Sequence, residues 1–198
     1  MAKVGFYLFS LLFFLNTSLL AYSSDPKDFI YELVDDSIKK LSDKNLNESE
    51  KSEFIEIMAL ENVDIKALGL YTLGEIRKSS NKEDLLKYQE VFEKYFLKSL
   101  TSRLTDYSSS NFTVTGDDKK SSNYTIVNSL IKPTDGGPEI KIDWRVYTKN
   151  PDKPLIRDLI VEGLSLARTQ KEEFASILSS NNNDIGALIS KLEEFVEN

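Results

Sequence analysis

The stretch Asp158–Ser179 changes its hydrophobic period in the middle, and this change constrains the fold more than any other part of the chain. Leu159–Val161 is a run of consecutive apolar residues, which is typical of a strand buried on both faces. Glu162-Gly163 interrupts the run, because glycine adopts positive φ without steric cost. Apolar residues then return at helical spacing, at Leu164, Ala167, Phe174, Ile177 and Leu178. The stretch therefore predicts a strand, a turn and an amphipathic helix in succession.

Capping residues predict four helices in the first half of the chain. The predicted N-caps are Asp25, Asn47, Asp64 and Asn81. Pro26 occupies the first helical position, where its missing N–H does no harm. In the third helix, Gly69 and Gly74 each cost about 1 kcal/mol relative to alanine. They indicate either close packing or, at Gly74, the end of the helix.

Beyond the fourth helix, near residue 104, the pattern becomes alternating. Strands are predicted at residues 111–115, 123–131, 139–147 and 155–161, with turns between them that include 116–118. The third strand alternates strictly, with Ile140, Ile142, Trp144 and Val146 on one face. A last helix is predicted at residues 185–196. The predicted fold class is α+β: N-terminal helices, a four-stranded antiparallel meander sheet and C-terminal helices, with the helices on one face of a curved sheet.

The first 23 residues have the pattern of a secretory signal peptide. Lys3 precedes the apolar run Val4–Leu15, and Ala21–Ser23 fits a small-residue cleavage site. An uncleaved membrane anchor is the competing interpretation, but the run is shorter than the about 20 residues that a spanning helix needs. We therefore predict a signal peptide at residues 1–23 and one soluble domain at residues 24–198.

Composition excludes several functions. The net charge is −7 and no basic stripe is visible, which argues against nucleic acid as a partner. The chain has no histidine, so it has no Ser-His-Asp triad and no histidine metal site. It also has no cysteine, and an exported domain without disulfides fits a bacterial periplasm. No cofactor is expected.

Two pairs of adjacent acids are the remaining candidates for catalysis. Asp35-Asp36 lies in a predicted helix, where adjacent side chains diverge by about 100°. Asp117-Asp118 lies in a predicted turn, where solvated acids are common. No calcium-binding acid spacing is present. We therefore predict no catalytic residue, no metal site and no enzymatic activity; a hydrolase that uses acids alone is the alternative.

Ordered segments along nearly the whole chain resemble one family. The segments are Leu73-Gly74, Tyr88, Phe92, Tyr95, Tyr107, Phe112–Val114, Pro138–Val146, Asp158–Ser165, Thr169-Gln170 and Glu173–Ala175. Together they resemble the MlaC family of periplasmic phospholipid carriers, also described as toluene-tolerance proteins. Val161–Ser165 followed by Thr169-Gln170 is the most specific part. The chain departs from the family pattern at Arg77, Lys82 and Pro154.

The resemblance implies a periplasmic carrier with phospholipid as its ligand. Such a carrier moves lipid between an outer-membrane lipoprotein complex and an inner-membrane ABC transporter with an MCE protein, and so maintains outer-membrane lipid asymmetry. It also implies an apolar pocket between helices and sheet. The residues we predict to line that pocket are Leu70, Leu73, Tyr95, Tyr107, Ile142, Trp144, Val146 and Ile160. The alternatives are a carrier for another apolar molecule, such as a hopanoid, and a non-catalytic envelope adaptor whose apolar faces only form its own core.

Overall fold

The computed structural model describes residues 22–104, 110–134 and 136–198. Helices come first, then an antiparallel sheet, then helices again. The helices are α1 (Pro26–Leu41), α2 (Glu48–Asn62), α3 (Ile65–Thr72), α4 (Lys82–Leu104), α5 (Leu166–Ser180) and α6 (Ile185–Glu197). The strands are β1 (Ser110–Ser121), β2 (Tyr124–Pro133), β3 (Ile140–Tyr147), β4 (Leu155–Val161) and β5 (Leu164–Ser165). The α+β prediction is confirmed.

The predicted N-caps are confirmed, and each acts through a side-chain hydrogen bond. Asp25 accepts hydrogen bonds from the backbone N–H groups of residues 27 and 28. Asn47 forms a reciprocal capping box with Glu50. Asp64 and Asn81 each accept one bond, from the N–H groups of residues 67 and 84. These bonds satisfy amides that the first turn of a helix leaves unpaired, so the local sequence sets where these helices begin.

The sheet is a five-stranded antiparallel meander in the order β1-β2-β3-β4-β5. The predicted four strands are thus joined by a fifth, the two-residue strand β5, which follows the turn at Glu162-Gly163. Both turn residues have positive φ, 48° and 83°. The predicted turn at 116–118 is wrong, because β1 continues through these residues to Ser121. The register of the β1–β2 pairing shifts between Val114 and Gly116, and the two strands stay paired beyond this point.

The two faces of the sheet differ in chemistry. The predicted apolar face of β3 is confirmed: cross-strand pairing places Trp144 opposite Val127 and Val146 opposite Thr125, and this face packs on α1. The opposite face of β3 carries Lys141, Asp143, Arg145 and Tyr147. The helices therefore cover the apolar face, as the fold class requires.

The buried side chains form two separate clusters. The sheet cluster lies between α1, α2 and the sheet and contains Phe29, Ile30, Leu33, Val34, Met58, Val127, Val146 and Ile156. The helical cluster lies between α3, α4, α5 and α6 and contains Ile65, Leu68, Leu73, Tyr88, Val91, Phe92, Ala167, Phe174, Leu178, Ile185, Leu188, Ile189 and Leu192. Val63 packs against both clusters and forms a parallel bridge with Ile156 of β4. The two halves of the molecule are thus connected at the start of α3.

Within residues 22–104, 110–134 and 136–198, no helix is both long enough and apolar enough to cross a bilayer. Residues 1–21, which carry most of the predicted signal peptide, lie outside the described residues. Cleavage after Ser23 stays a prediction.

Candidate functional site

An apolar cleft of about 180 Å³ lies where the helical cluster meets the sheet cluster. Helices α3, α4 and α5 and strand β4 form its walls. Its lining residues are Leu68, Thr72, Phe92, Tyr95, Phe96, Ser99, Leu100, Arg103, Ile156, Asp158, Leu159, Leu166, Ala167 and Gln170. Most of these side chains are aliphatic or aromatic, so the cleft suits an apolar ligand better than a charged one.

Helical spacing explains which residues reach the cleft from the helices. On α4, Phe92, Phe96, Ser99 and Arg103 follow one another at intervals of three or four residues, which places them in a single stripe. The lining residues of the other two helices have the same kind of spacing: those on α3 lie four residues apart, and Gln170 on α5 follows Leu166 and Ala167 by four and three residues. The stripe on α4 is the longest wall.

A β-bulge brings two side chains of β4 to the same wall. Asp158 pairs with Arg145 while Ile156 pairs with Val146, so the intervening Arg157 is an extra residue. In a regular strand, residues 156 and 159 would point to opposite faces, because their separation is odd. Here Ile156 and Leu159 both line the cleft and both pack in the sheet cluster.

The buried carboxylate of Asp158 fixes the start of α5 on β4. Its side chain accepts hydrogen bonds from Ser165 Oγ at 2.7 Å and from the backbone N–H of Ala167 at 3.0 Å. Arg145 Nη1 lies 3.5 Å from Asp158 Oδ2 and balances the charge. A buried charge is tolerated when it is paired and hydrogen-bonded in this way. Asp158 is therefore a structural anchor of the cleft.

Two tyrosine hydroxyls lie near the cleft and both are hydrogen-bonded. Tyr88, which is fully buried, shares a hydrogen bond of 3.0 Å with Thr72. Tyr95 donates to Gln170 Oε1 at 2.9 Å, across the cleft from α4 to α5. Burial raises the pKa of both Tyr88 and Tyr95. These hydroxyls stay protonated at neutral pH, so neither supplies a general base.

A second, larger depression of about 740 Å³ lies on the other face of the sheet. Its lining includes Asp118, Lys120, Asp143 and Arg145, together with Ile160. Desolvating these charged and hydrogen-bonding groups would cost free energy, which makes this depression a poor place for acyl chains. The smaller cleft is therefore the better candidate for an apolar ligand, despite its size.

The structure separates the eight residues predicted to line a pocket. Tyr95 lines the cleft. Leu73 is fully packed in the helical cluster, and the carbonyl oxygen of half-buried Leu70 accepts a hydrogen bond from Arg77. Tyr107 lies outside the described residues.

The four predicted sheet residues fall on two faces. Ile142, Trp144 and Val146 share the face that packs on α1, and the Trp144 indole N–H donates to Ser129 Oγ at 2.8 Å. Ile160 pairs with Asp143 and lies on the opposite face, beside the larger depression. The expectation that Leu159–Val161 is buried on both faces is wrong, because all three residues are only half-buried. Lipid contact stays a prediction for all eight residues.

Tyr95 on α4 is a predicted residue that lines the cleft, whereas its neighbours in the lining were not predicted. Phe92, Phe96 and Leu100 belong to the apolar stripe of α4, whose spacing marks a buried face without showing what covers it. Leu166 is 43% exposed and was not singled out. The spacing of 92, 96, 99 and 103, which ends on an arginine, is the signal that would have identified this wall.

One member of each pair of adjacent acids forms an ion pair with a nearby lysine. Asp35 pairs with Lys39 and Asp118 with Lys120, each in an exposed ion pair. Across the part of the chain that the structure describes, no three His, Cys, Asp or Glu side chains come together as metal ligands would.

Taken together, the fold and the site define an α+β domain whose helical half and sheet half leave an apolar cleft between them. The fold is similar to that of the phospholipid-binding protein from Ralstonia solanacearum, solved in complex with a phospholipid, with a TM-score of 0.70, 19% identity and coverage of 85% of this chain and 94% of that one. The family model described as MlaC protein matches residues 31–194. The chain therefore belongs to the MlaC family, and the resemblance seen in the sequence is confirmed. A comparison with curated proteins gave no match.

Proposed function

We propose that this protein is a periplasmic carrier that binds a phospholipid with its acyl chains in the apolar cleft. It receives and delivers lipid between an outer-membrane lipoprotein complex and an inner-membrane ABC transporter with an MCE protein. Family membership and the phospholipid bound to the Ralstonia protein support the ligand. The role is binding and transport, and the polar groups of Thr72, Tyr95, Gln170 and Asp158 in the cleft have structural partners rather than the arrangement of a catalytic site.

The observation that carries this proposal is the position of the cleft between two separate hydrophobic clusters. An adaptor whose helices filled its own core would need one continuous cluster and no apolar gap. Here Phe92 and Leu68 of the helical cluster face Ile156 and Leu159 of the sheet cluster across the cleft. An acyl chain between them would have apolar contacts on both sides.

The size of the cleft indicates how lipid enters. About 180 Å³ is less than the 300–1,000 Å³ of typical ligand pockets. A lipid with two chains therefore requires the wall on α4 to move away from β4. The start of α5 stays on β4 through the hydrogen bonds of Asp158, and Val63 keeps the two clusters joined at the start of α3.

The energetics of transfer favour an apolar cleft with few polar contacts. Each buried CH₂ contributes about 0.8 kcal/mol, so two chains with roughly 28 methylenes are about 20 kcal/mol more stable in a bilayer or a cleft than in water. A carrier must come close to the stability of the bilayer without exceeding it, or the lipid would not be released. Aliphatic and aromatic walls meet this requirement.

Native mass spectrometry tests the proposal. The protein is expressed with its own leader, purified from the periplasm without added lipid, and its mass is compared before and after extraction with organic solvent. We expect a bound molecule that is identified as a phospholipid in the extract. A different apolar molecule would support the alternative carrier, and a protein with no extractable lipid would contradict the proposal.

A further inference from the structure

Polarity changes in one direction along the α4 wall of the cleft. Phe92, near the middle of the helix, is 3% exposed and packs against Phe174. Phe96, Ser99 and Leu100 are half-buried, and Arg103 in the last turn is exposed. Eleven residues separate Phe92 from Arg103, which corresponds to about 16 Å along the helix axis. The cleft is thus apolar at its inner end and cationic at its outer end.

Arg103 differs from the other arginines of the chain in having no protein partner among the described residues. The guanidinium of Arg77 donates to the Leu70 carbonyl. The remaining pairs are Arg145 with Asp158, Arg157 with Asp64 and Arg168 with Glu172. Arg103 lines the cleft, and its charge opposes the rise in the pKa of Tyr95 that burial causes. Its positive charge therefore acts on the cleft itself.

The start of α5 also borders the cleft, through Leu166 and Ala167. Its first amides are already bonded, because Asp158 accepts from the Ala167 N–H and Ser165 Oγ accepts from the Arg168 N–H. The Asp158 carboxylate is in turn paired with Arg145 and bonded to Ser165. Among the described residues that line the cleft, Arg103 is therefore the charge that an incoming anion would meet.

We propose that Arg103 binds the phosphate of the lipid and so sets the direction in which the lipid lies. The acyl chains extend along α4 towards Phe92, and the phosphate stays at the exposed end of the cleft. A guanidinium forms two parallel N–H···O bonds with a phosphate, which gives orientation as well as attraction. This inference rests on the proposed function and adds a specificity: phosphate-bearing amphiphiles bind better than neutral ones with the same chains.

Two ligands that differ only in the phosphate separate the contribution of the phosphate to binding from that of the acyl chains. Delipidated protein is titrated calorimetrically with dihexanoyl phosphatidic acid and with dihexanoylglycerol. We expect Arg103→Gln to lower the affinity for the phospholipid by about three- to tenfold at low salt, because an exposed charged hydrogen bond is partly screened. The affinity for the neutral ligand should stay within twofold. In 0.5 M salt the difference between wild type and variant should shrink.

Arg168→Gln is the matched control. Arg168 is 74% exposed, pairs with Glu172 on the surface of α5 and does not line the cleft, so its loss should leave both affinities unchanged. Arg103→Lys keeps the positive charge but lacks the two parallel N–H donors of the guanidinium, so it should lose less affinity than Arg103→Gln. Circular dichroism shows whether each variant folds.

The possible outcomes distinguish a failure of this inference from a failure of the proposed function on which it rests. Equal phospholipid affinity for wild type and Arg103→Gln overturns the phosphate contact. Equal losses for both ligands also overturn it, because they point to packing rather than to charge. Wild-type protein that binds neither ligand contradicts the proposed function instead.

Discussion

Replacing Gly69 with alanine tests how closely α3 and α4 must pack to form the inner end of the cleft. A Cβ atom at residue 69 would lie 2.8 Å from Cδ1 and 3.3 Å from Cε1 of Phe92. Phe92 is 3% exposed, and its ring is held by Tyr88 at 5.8 Å and by Phe174 at 6.2 Å between centroids. The ring therefore has little freedom to move away from the new methyl group.

The expected effect is a balance of two contributions. Overpacking a core costs about 1–3 kcal/mol. Alanine in a helix interior is about 1 kcal/mol better than glycine. The packing cost exceeds the propensity gain, so Gly69→Ala should lower the free energy of unfolding by about 1 kcal/mol. For a domain of this size, that corresponds to a decrease in Tm of about 2–4 °C.

Urea unfolding followed by circular dichroism measures this change. Gly116→Ala is the control, because a Cβ there meets no atom within 4 Å, and we expect it to be neutral or slightly stabilising. Phe92→Leu in the Gly69→Ala background should recover part of the loss as a coupling energy in a double-mutant cycle. If Gly69→Ala is as stable as wild type or more stable, the ring can move and the close approach does not constrain the helices.

Three further predictions concern the connections around the cleft. Arg157→Lys should destabilise the fold by about 1 kcal/mol in urea unfolding, because lysine loses both the paired contacts to Asp64 and the stacking 3.3 Å from the Tyr147 ring centroid. An unchanged urea midpoint would show that the planar guanidinium is not needed for stability at this position. Asp158→Asn should cost about 2 kcal/mol in the same assay, because it weakens charged hydrogen bonds at a site that is 3% exposed. Burial raises the pKa of Tyr88, so this tyrosine ionises at a lower pH in the unfolded chain than in the folded protein, and thermal stability should be intact below about pH 10 and fall as the pH rises further. Absorbance at 295 nm, which reports tyrosine ionisation, checks this prediction. Ionisation of Tyr88 at the ordinary pH of a tyrosine would contradict its burial.

Local rules predicted the elements whose signals are short-range. Asp25, Asn47, Asp64 and Asn81 begin helices because each side chain bonds an amide only two or three residues away. The faces of β3 followed from alternation, and the Glu162-Gly163 turn followed from glycine's freedom at positive φ. Family membership was also visible in the ordered segments of the sequence.

Features that depend on distant partners were not predictable in this way. β1 continues through Gly116 because β2 pairs with it along its length, although the local sequence favours a turn. The helix expected from Leu164 begins two residues later, because Leu164–Ser165 pairs with β4 instead.

The candidate site shows the same division between sequence and structure. The sequence alone determined that α4 carries a broad apolar stripe with Tyr95 in it, since spacing on one helix needs no partner. Only the tertiary structure decided that the bulge at Arg157 directs Ile156 and Leu159 to one wall and that Ile160 lies on the other face. The physical reason is that a cleft is a gap between elements far apart in the chain, so it depends on how the two clusters meet.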